Sequence, residues 1–366
     1  MSIKTNNILL IVGNLSTPGG VSSFWTSLLN AFKKNPDISF EILEIGGHGK
    51  NIIGPVVDQY KVYKKSKFPF QLAIINPSLL VRSFFRDGLF AKQLHSQKIP
   101  FIIFFHGWEL DFEKEVDKKY INFFLNSFGQ AEKIFVLSQD FKSKILQWGY
   151  KGKVIVETTN ADAQLTKNFS LAQREAIWKK SKTIKILYLA RLIKEKGAFE
   201  LLEAFEQLQE KFDNIELIIA GDGEDFPALQ KQAEGKKGVT LTGDIRGVEK
   251  IELFKTSHIY VLSSYYGEGL PTSVLEAMLF GLPVITSEVG GLKQFFQDSK
   301  MGYTVEPKNV NQLVEKLQIL IENREKMDEI SHYNYNYAKE NVTNEVMAKR
   351  LYQEFKDTEP CLVNNA

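Results

Sequence analysis

The stretch IYVLSSYYGEGLPTSVLEAMLFG, residues 259–281, decides how the chain is read. IYVLSS is an apolar run of the length expected of a buried strand. PTSVLEAMLFG has helical spacing, with Pro271 suited to a helix opening and Gly281 to its C-terminal cap. A strand that turns into a helix in this way is the building unit of an open α/β sheet. Ligands of such sheets sit at the carboxyl ends of the strands, where the first helical N–H groups are left to hold an anion. Two carboxylates bracket the turn, Glu268 ahead of the helix and Glu276 in its second turn. An anionic ligand is therefore expected here.

Outward from this unit, strands and helices alternate in two series. The second series begins with IKILYLA (184–190) and continues with IELIIAG (215–221), GVTLTG (238–243), HIYVLSS (258–264) and PVITS (283–287). The first series predicts strands near 7–13, 38–45, 72–75, 101–105, 133–137 and 154–157. Between about 164 and 182 strand character is lost. The pattern predicts two doubly wound, Rossmann-like parallel sheets with an active site in the cleft between them. The expected division is 1–165 for the first domain, 166–182 for a linker and 183–345 for the second. Residues 346–366 remain as a terminal helix and tail.

A chain of 366 residues is long for one core, which agrees with two domains. The single cysteine, Cys361, rules out an internal disulfide and a cysteine metal cluster, as a reducing cytoplasm would favour. ILLIVG, from Ile8, is too short for a signal core or a membrane span. The net charge is +2, unevenly spread: residues 1–163 hold 20 Lys and Arg against 14 Asp and Glu. Between Lys50 and Pro100 nine basic residues face only Asp58 and Asp87, with Tyr60, Tyr63, Phe68, Phe70, Phe84, Phe85 and Phe90 interleaved. Such a mixture suits an anionic membrane surface or a lipid-linked acceptor, and equally a solvated basic face over core aromatics. No nucleic-acid-binding module accompanies it. The expected location is the cytoplasm, peripheral at the inner face of a membrane.

Chemistry-bearing residues gather at strand ends. Arg191 follows IKILYLA, and Lys196 and Gly197 follow five and six positions on, at the start of AFELLEAFEQLQ. A planar guanidinium fork with a compact ammonium suits a diphosphate, and two cations on one turn can do a metal's work on a leaving group. The same spacing also occurs in solvated surface turns. NILLIVGN runs through LSTPGG into a helix, placing Gly19 and Gly20 where a backbone can approach a phosphate or sugar closely. The G-x-G-x-x-G spacing of a dinucleotide fold is missing, which disfavours a dehydrogenase. His106 closes FIIFFHG, at a strand end of the first domain, as a candidate partner for a substrate hydroxyl. The other histidines make no metal-ligand spacing and no D-x-D motif occurs, so no metal or other cofactor is expected.

PGGVSSFW, FFHG, ARLIKEKG, AGDGE, EGLPTSVLEAMLFGLPVITSEVGG and GYTVEP, in this order and spacing, resemble the large retaining glycosyltransferase family of GT-B fold, family 4. The terminal YAKENVTNEVMAKRLYQEF is similar to the family helix that crosses back to the first domain. The resemblance implies a transfer of a hexose from a nucleotide-sugar, UDP being the commonest carrier, to a saccharide or lipid-linked acceptor, as in bacterial surface polysaccharide biosynthesis. It implies that Arg191 and Lys196 hold the donor diphosphate and that Gly20 approaches the donor phosphate, with Gly19 beside it. Glu276 would bind the ribose and Glu268 the donor sugar, with the backbone of Gly269 and Leu270 on sugar and phosphate. His106 would line the reaction centre. Asp162 of TNAD is a weaker correspondence. The loop at Asp244 to Gly247 is a candidate base pocket, with Gly243 and Arg246 as its candidate residues. Ala190 stands for the family's usual glycine, and Lys293 and Gln294 for its proline and glutamate. A GT-B epimerase or phosphorylase, and a nucleotide-sugar-binding protein without transferase activity, are the rival readings.

Overall fold

The computed structural model describes residues 6–17, 19–47, 53–265 and 269–358. By internal contacts the chain divides into two compact units. The first runs to Asn160 and resumes at Asn344, and the second is Ala161–Thr343.

Among the described residues the first unit holds a six-stranded parallel sheet. Its strands are β1 (Asn6–Gly13), β2 (Ile38–Ile45), β3 (Leu72–Ile75), β4 (Phe101–Phe104), β5 (Lys133–Val136) and β6 (Lys153–Val156), in the order β2-β1-β3-β4-β5-β6. The order reverses between β1 and β3, a topological switch point. Alternation along β1 shows why the sheet is covered on both faces. Ile8, Leu10 and Val12 join one apolar cluster, with Phe24 and Trp25 of helix α1 (Gly20–Phe32). Leu9 and Ile11 join the other, with Val62 of α2 (Gly54–Lys65) and Phe84 and Phe90 of α3 (Val81–Ser96).

The aromatics of residues 50–100 do not share one face. Phe70, Phe84 and Phe90 are core, whereas Tyr60, Tyr63 and Phe68 are exposed. Phe85 is half-buried against the same core, so four of the seven interleaved aromatics are ordinary core packing.

The second unit repeats the design with β7 (Ile184–Leu189), β8 (Ile215–Ala220), β9 (Val239–Gly243), β10 (Ile259–Leu262), β11 (Val284–Ser287) and β12 (Gly302–Val305). These parallel strands lie in the order β9-β8-β7-β10-β11-β12, with the switch point between β7 and β10. β12 escapes a reading by apolar pattern because it is only four residues, two of them half-buried.

Residues 166–182, expected as a linker, contain helix α4 (Leu171–Lys180), which belongs to the second unit. Its Arg174 is buried, donates to the Gly281 carbonyl and the Ser331 hydroxyl at 2.9 Å each, and lies over the Trp178 ring, which stacks on His258. An arginine and a tryptophan four apart read as polar surface by composition, yet here they form the buried face of the helix.

Four further helices of the second unit matter below: α5 (Ala198–Gln209), α6 (Gly247–Thr256), α7 (Thr272–Leu279) and α8 (Arg324–Asn341). α7 ends as the sequence suggests. Gly281, at φ 71°, donates to Met278, and Leu282 donates to Ala277, which closes the last turn.

The chain then re-enters the first unit as α9 (Asn344–Lys356), packed on α1. Met347, Ala348, Leu351 and Phe355 form its buried stripe. Its polar side is fastened by Glu354 to Lys133 at 2.9 Å and Lys153 at 2.8 Å, and by Arg350 to Glu157 at 2.6 Å.

Candidate functional site

The carboxyl edge of the second sheet gathers most of the expected residues at its switch point. After β7 the chain passes Ala190 and Arg191, makes one tight turn over Lys194–Lys196, and enters α5 through Gly197, whose φ is 80°. Arg191 is exposed and Lys196 is 9% exposed. This loop is fastened to the end of β10. The Ser263 hydroxyl donates to the Gly197 carbonyl at 3.2 Å, while the Ser264 hydroxyl and the Tyr265 N–H both donate to the Glu195 carbonyl, at 3.1 and 2.8 Å. From inside the sheet the Tyr188 hydroxyl donates to the Lys196 carbonyl at 3.2 Å.

The turn after β8 supports the loop from the other side. The Leu192 N–H donates to Asp222, the Asp225 N–H donates to Leu192, and Asp225 Oδ2 accepts from the Lys194 N–H at 2.6 Å. Gly221 and Gly223 have no room for a side chain, since a Cβ on either would overlap the carbonyl of Ala190 or Leu192. The acidic AGDGED segment is thus a structural brace.

Tyr260 links the two halves of the switch point. Its hydroxyl donates to the Leu189 carbonyl at 2.9 Å and is 2.7 Å from the Ser273 hydroxyl, in the first turn of α7. The start of α7 is therefore set relative to the end of β7 by one buried tyrosine. The Gly269 carbonyl accepts from the Gly291 N–H at 2.5 Å, and Leu270 is buried. Glu276 is 7% exposed, and its Oε1 accepts from Lys250 Nζ of α6 at 2.7 Å. Glu268 lies outside the described residues. In the loop ahead of α6, Gly243 has φ 72° with open space around it, and Arg246 is paired with Asp244 at 2.6 Å.

The first unit places its candidates at the edge of its own sheet. Gly19 and Gly20 open α1 and are exposed, and a Cβ at Gly20 would meet no atom of the described residues within 4 Å. The fold itself therefore does not require glycine at 20. One turn along α1, Phe24 packs on His106 with ring centroids 4.3 Å apart, and Phe104 lies at 4.2 Å.

Burial among these rings pushes the imidazole of His106 down to about 3, so it is neutral at neutral pH. The neighbouring Phe104 carbonyl offsets part of that effect without a well-formed bond, and neither ring nitrogen has a hydrogen-bond partner among the described residues. The Trp25 indole N–H donates to Asn76, which donates in turn to the Phe104 carbonyl at 2.9 Å. Asp162 and Ser138 are helix caps, accepting from the N–H groups of Gln164 and Phe141. Both thus have a structural role. Among the described residues no three His, Cys, Asp or Glu side chains gather as a metal site.

Residues that motif reading does not single out include Tyr188, Tyr260, Ser263, Ser264 and Lys250. The tyrosines carried a signal: each is a hydroxyl inside an otherwise aliphatic buried strand, which needs a partner.

Comparison with known proteins agrees with this architecture. The family model of glycosyl transferases group 1 matches residues 170–337. A candidate teichuronic acid biosynthesis glycosyltransferase, TuaC of Bacillus subtilis, is 29% identical over 245 residues, 63% of this chain and 57% of that relative. Sucrose-phosphate synthase from Thermosynechococcus elongatus superposes with a TM-score of 0.75 over 96% of this chain and 98% of its own, at 17% identity. Anabaena Alr3699/HepE, solved in complex with UDP and glucose, superposes with a TM-score of 0.71 over 95% and 99%, at 15% identity. These two likenesses show the GT-B fold. The segment that matches the group 1 glycosyltransferases, residues 170–337, spans the loop of Arg191 and Lys196, the switch point and α7, so this part of the chain is a glycosyltransferase domain of that group.

Proposed function

We propose that this protein is a retaining glycosyltransferase of the hexosyltransferase type, moving a sugar from a nucleoside diphosphate, UDP first among them, to a saccharide or lipid-linked glycan acceptor without a metal ion. The observation that carries this reading is the loop from Arg191 to Gly197. It is pinned from three sides beside the start of α7, and so presents one guanidinium, one ammonium and two helix starts at a switch point. As the acceptor oxygen takes the anomeric carbon, the diphosphate departs toward these groups. Stabilising that leaving charge is the largest catalytic contribution expected. The neutral His106 suits a hydrogen bond to a sugar hydroxyl. The UDP and glucose held by HepE, and the name of TuaC, support a UDP-sugar and a surface polysaccharide.

A thermal-shift panel with UDP, GDP, ADP and dTDP, with and without EDTA, tests the reading. A ligand at about a hundred times its dissociation constant adds about 2.7 kcal/mol to stability. One nucleotide is expected to raise the melting temperature equally with and without EDTA. A panel without any shift counts against a donor site.

The reading extends to a partner on the first unit. On the outward side of α2, Val56, Tyr60 and Tyr63 are 67%, 64% and 46% exposed, and Phe68 just beyond is 56% exposed. Lys61, Lys64 and Lys67 surround them, with Lys67 Nζ 4.4 Å from the Tyr63 ring centre. An outward face of aromatics among lysines supports peripheral binding to an anionic bilayer, where a lipid-linked acceptor would lie. No helix among the described residues is long and apolar enough to cross a membrane. The protein is expected to sediment with phosphatidylglycerol vesicles, to be released by salt, and to ignore phosphatidylcholine. Lys64→Glu with Lys67→Glu should abolish sedimentation without lowering the melting temperature. Equal binding of that variant would count against this surface.

A further inference from the structure

Lys250 and Glu276 join α6 to α7, and a second contact links the same two segments at matching positions. Four residues on from each, Phe254 stacks flat on Phe280, with centroids 5.3 Å apart and planes 8° from parallel. Both rings are fully buried. The apolar pair already fastens the two helices, and a mostly buried ion pair is in general weak evidence for stability. The Lys250–Glu276 contact therefore calls for a different explanation.

It has one in the carboxylate. Among the described residues Lys250 is the one partner of the Glu276 side chain, and it engages Oε1 alone. A hydrogen bond from a cation to one carboxylate oxygen restrains the group's rotation and leaves the other oxygen as an acceptor. Lys250 is also the fourth residue of α6, directly after the loop from Gly243 to Arg246. One short helix thus carries both that loop and the clamp on Glu276.

We infer that Lys250 is the positioning residue for ribose recognition, holding Glu276 so that its second oxygen accepts from a ribose hydroxyl and the site selects ribonucleotides over deoxyribonucleotides. The inference rests on the donor reading above. A site built to bond a hydroxyl rejects the analogue that lacks it, because its own polar group is then left unpaired.

The test is calorimetric binding of UDP and of 2′-deoxy-UDP to wild type, Lys250→Met and Lys250→Arg, with donor KM and kcat measured alongside. Wild type is expected to prefer UDP by about 10-fold or more, the size of one charge-assisted hydrogen bond. Lys250→Met should weaken UDP about 10-fold and leave 2′-deoxy-UDP nearly unchanged, so that the preference disappears. KM should rise while kcat stays close to wild type, as for a contact made equally in the ground and transition states. Lys250→Arg keeps the charge, guards against a folding defect, and should keep most of the preference.

A lower melting temperature with the UDP preference intact would mean a merely structural ion pair and would overturn the inference. A wild type that binds both nucleotides equally would overturn it too, leaving the donor site standing. A wild type that binds neither would remove the donor reading itself.

Discussion

Arg191→Ala should slow sugar transfer about 10²- to 10³-fold, the loss typical of one preorganised donor to a developing anion, while leaving the melting temperature unchanged. The two halves of this expectation have separate causes. The guanidinium is exposed and makes no ion pair among the described residues, so truncation removes no folding contact. Its backbone is independently fixed, because Ala190 donates to Ala220 and the next residue, Leu192, is bonded both ways to the turn after β8.

A side chain whose neighbours are so thoroughly anchored, yet which itself holds nothing among the described residues, is set out for a ligand. Arg191→Lys should recover only part of the loss, since an ammonium keeps the charge without the planar fork. The check is steady-state turnover with the nucleotide-sugar chosen by the thermal-shift panel. Turnover near wild type in the alanine variant would remove Arg191 from the leaving-group site.

What the sequence makes legible, and what it hides, follows from the range over which each signal acts. β7, β8, β10 and α5 are readable because apolar runs and helical periodicity are local, and each element is bounded by a glycine or a polar turn. α4 is hidden. Its buried side is made by Arg174 and Trp178, whose partners Gly281, Ser331 and His258 are distant in sequence, so no local pattern announces it.

The same holds within the site. As candidates, Arg191, Lys196 and Glu276 are legible through spacing and through family resemblance. Ser263, Ser264 and Tyr260, which position them, act through contacts 13 to 71 residues apart in the chain. Lys250 is the clearest case. As one lysine in GVEKIELFKT it reads as the polar side of a surface helix, and only the packing of α6 on α7 brings it to Glu276.

Gly197→Ala carries the second large effect, and it separates the loop's architecture from its chemistry. Gly197 sits at φ 80°, where an L-residue is disfavoured by about 1–2 kcal/mol. A Cβ there would also stand 2.5 Å from the Ser263 hydroxyl and 2.8 Å from its carbonyl carbon, inside van der Waals contact. The carbonyl is backbone directly after β10 and cannot swing aside like the tip of a flexible side chain, so overpacking adds about 1–3 kcal/mol more. The second unit should therefore lose about 2–5 kcal/mol in total, seen in calorimetry as an earlier transition for that unit.

Turnover should fall as well, and further than stability alone accounts for. The Ser263–Gly197 and Tyr188–Lys196 hydrogen bonds that seat the ammonium cannot both survive the displacement. Gly20→Ala is the contrasting control, because no atom of the described residues lies within 4 Å of the added methyl and the melting temperature should not move. If Gly197→Ala melts and turns over like wild type, then the end of β10 yields more easily than its hydrogen bonds imply. The pinned loop would then not be what holds Arg191 and Lys196 at the diphosphate.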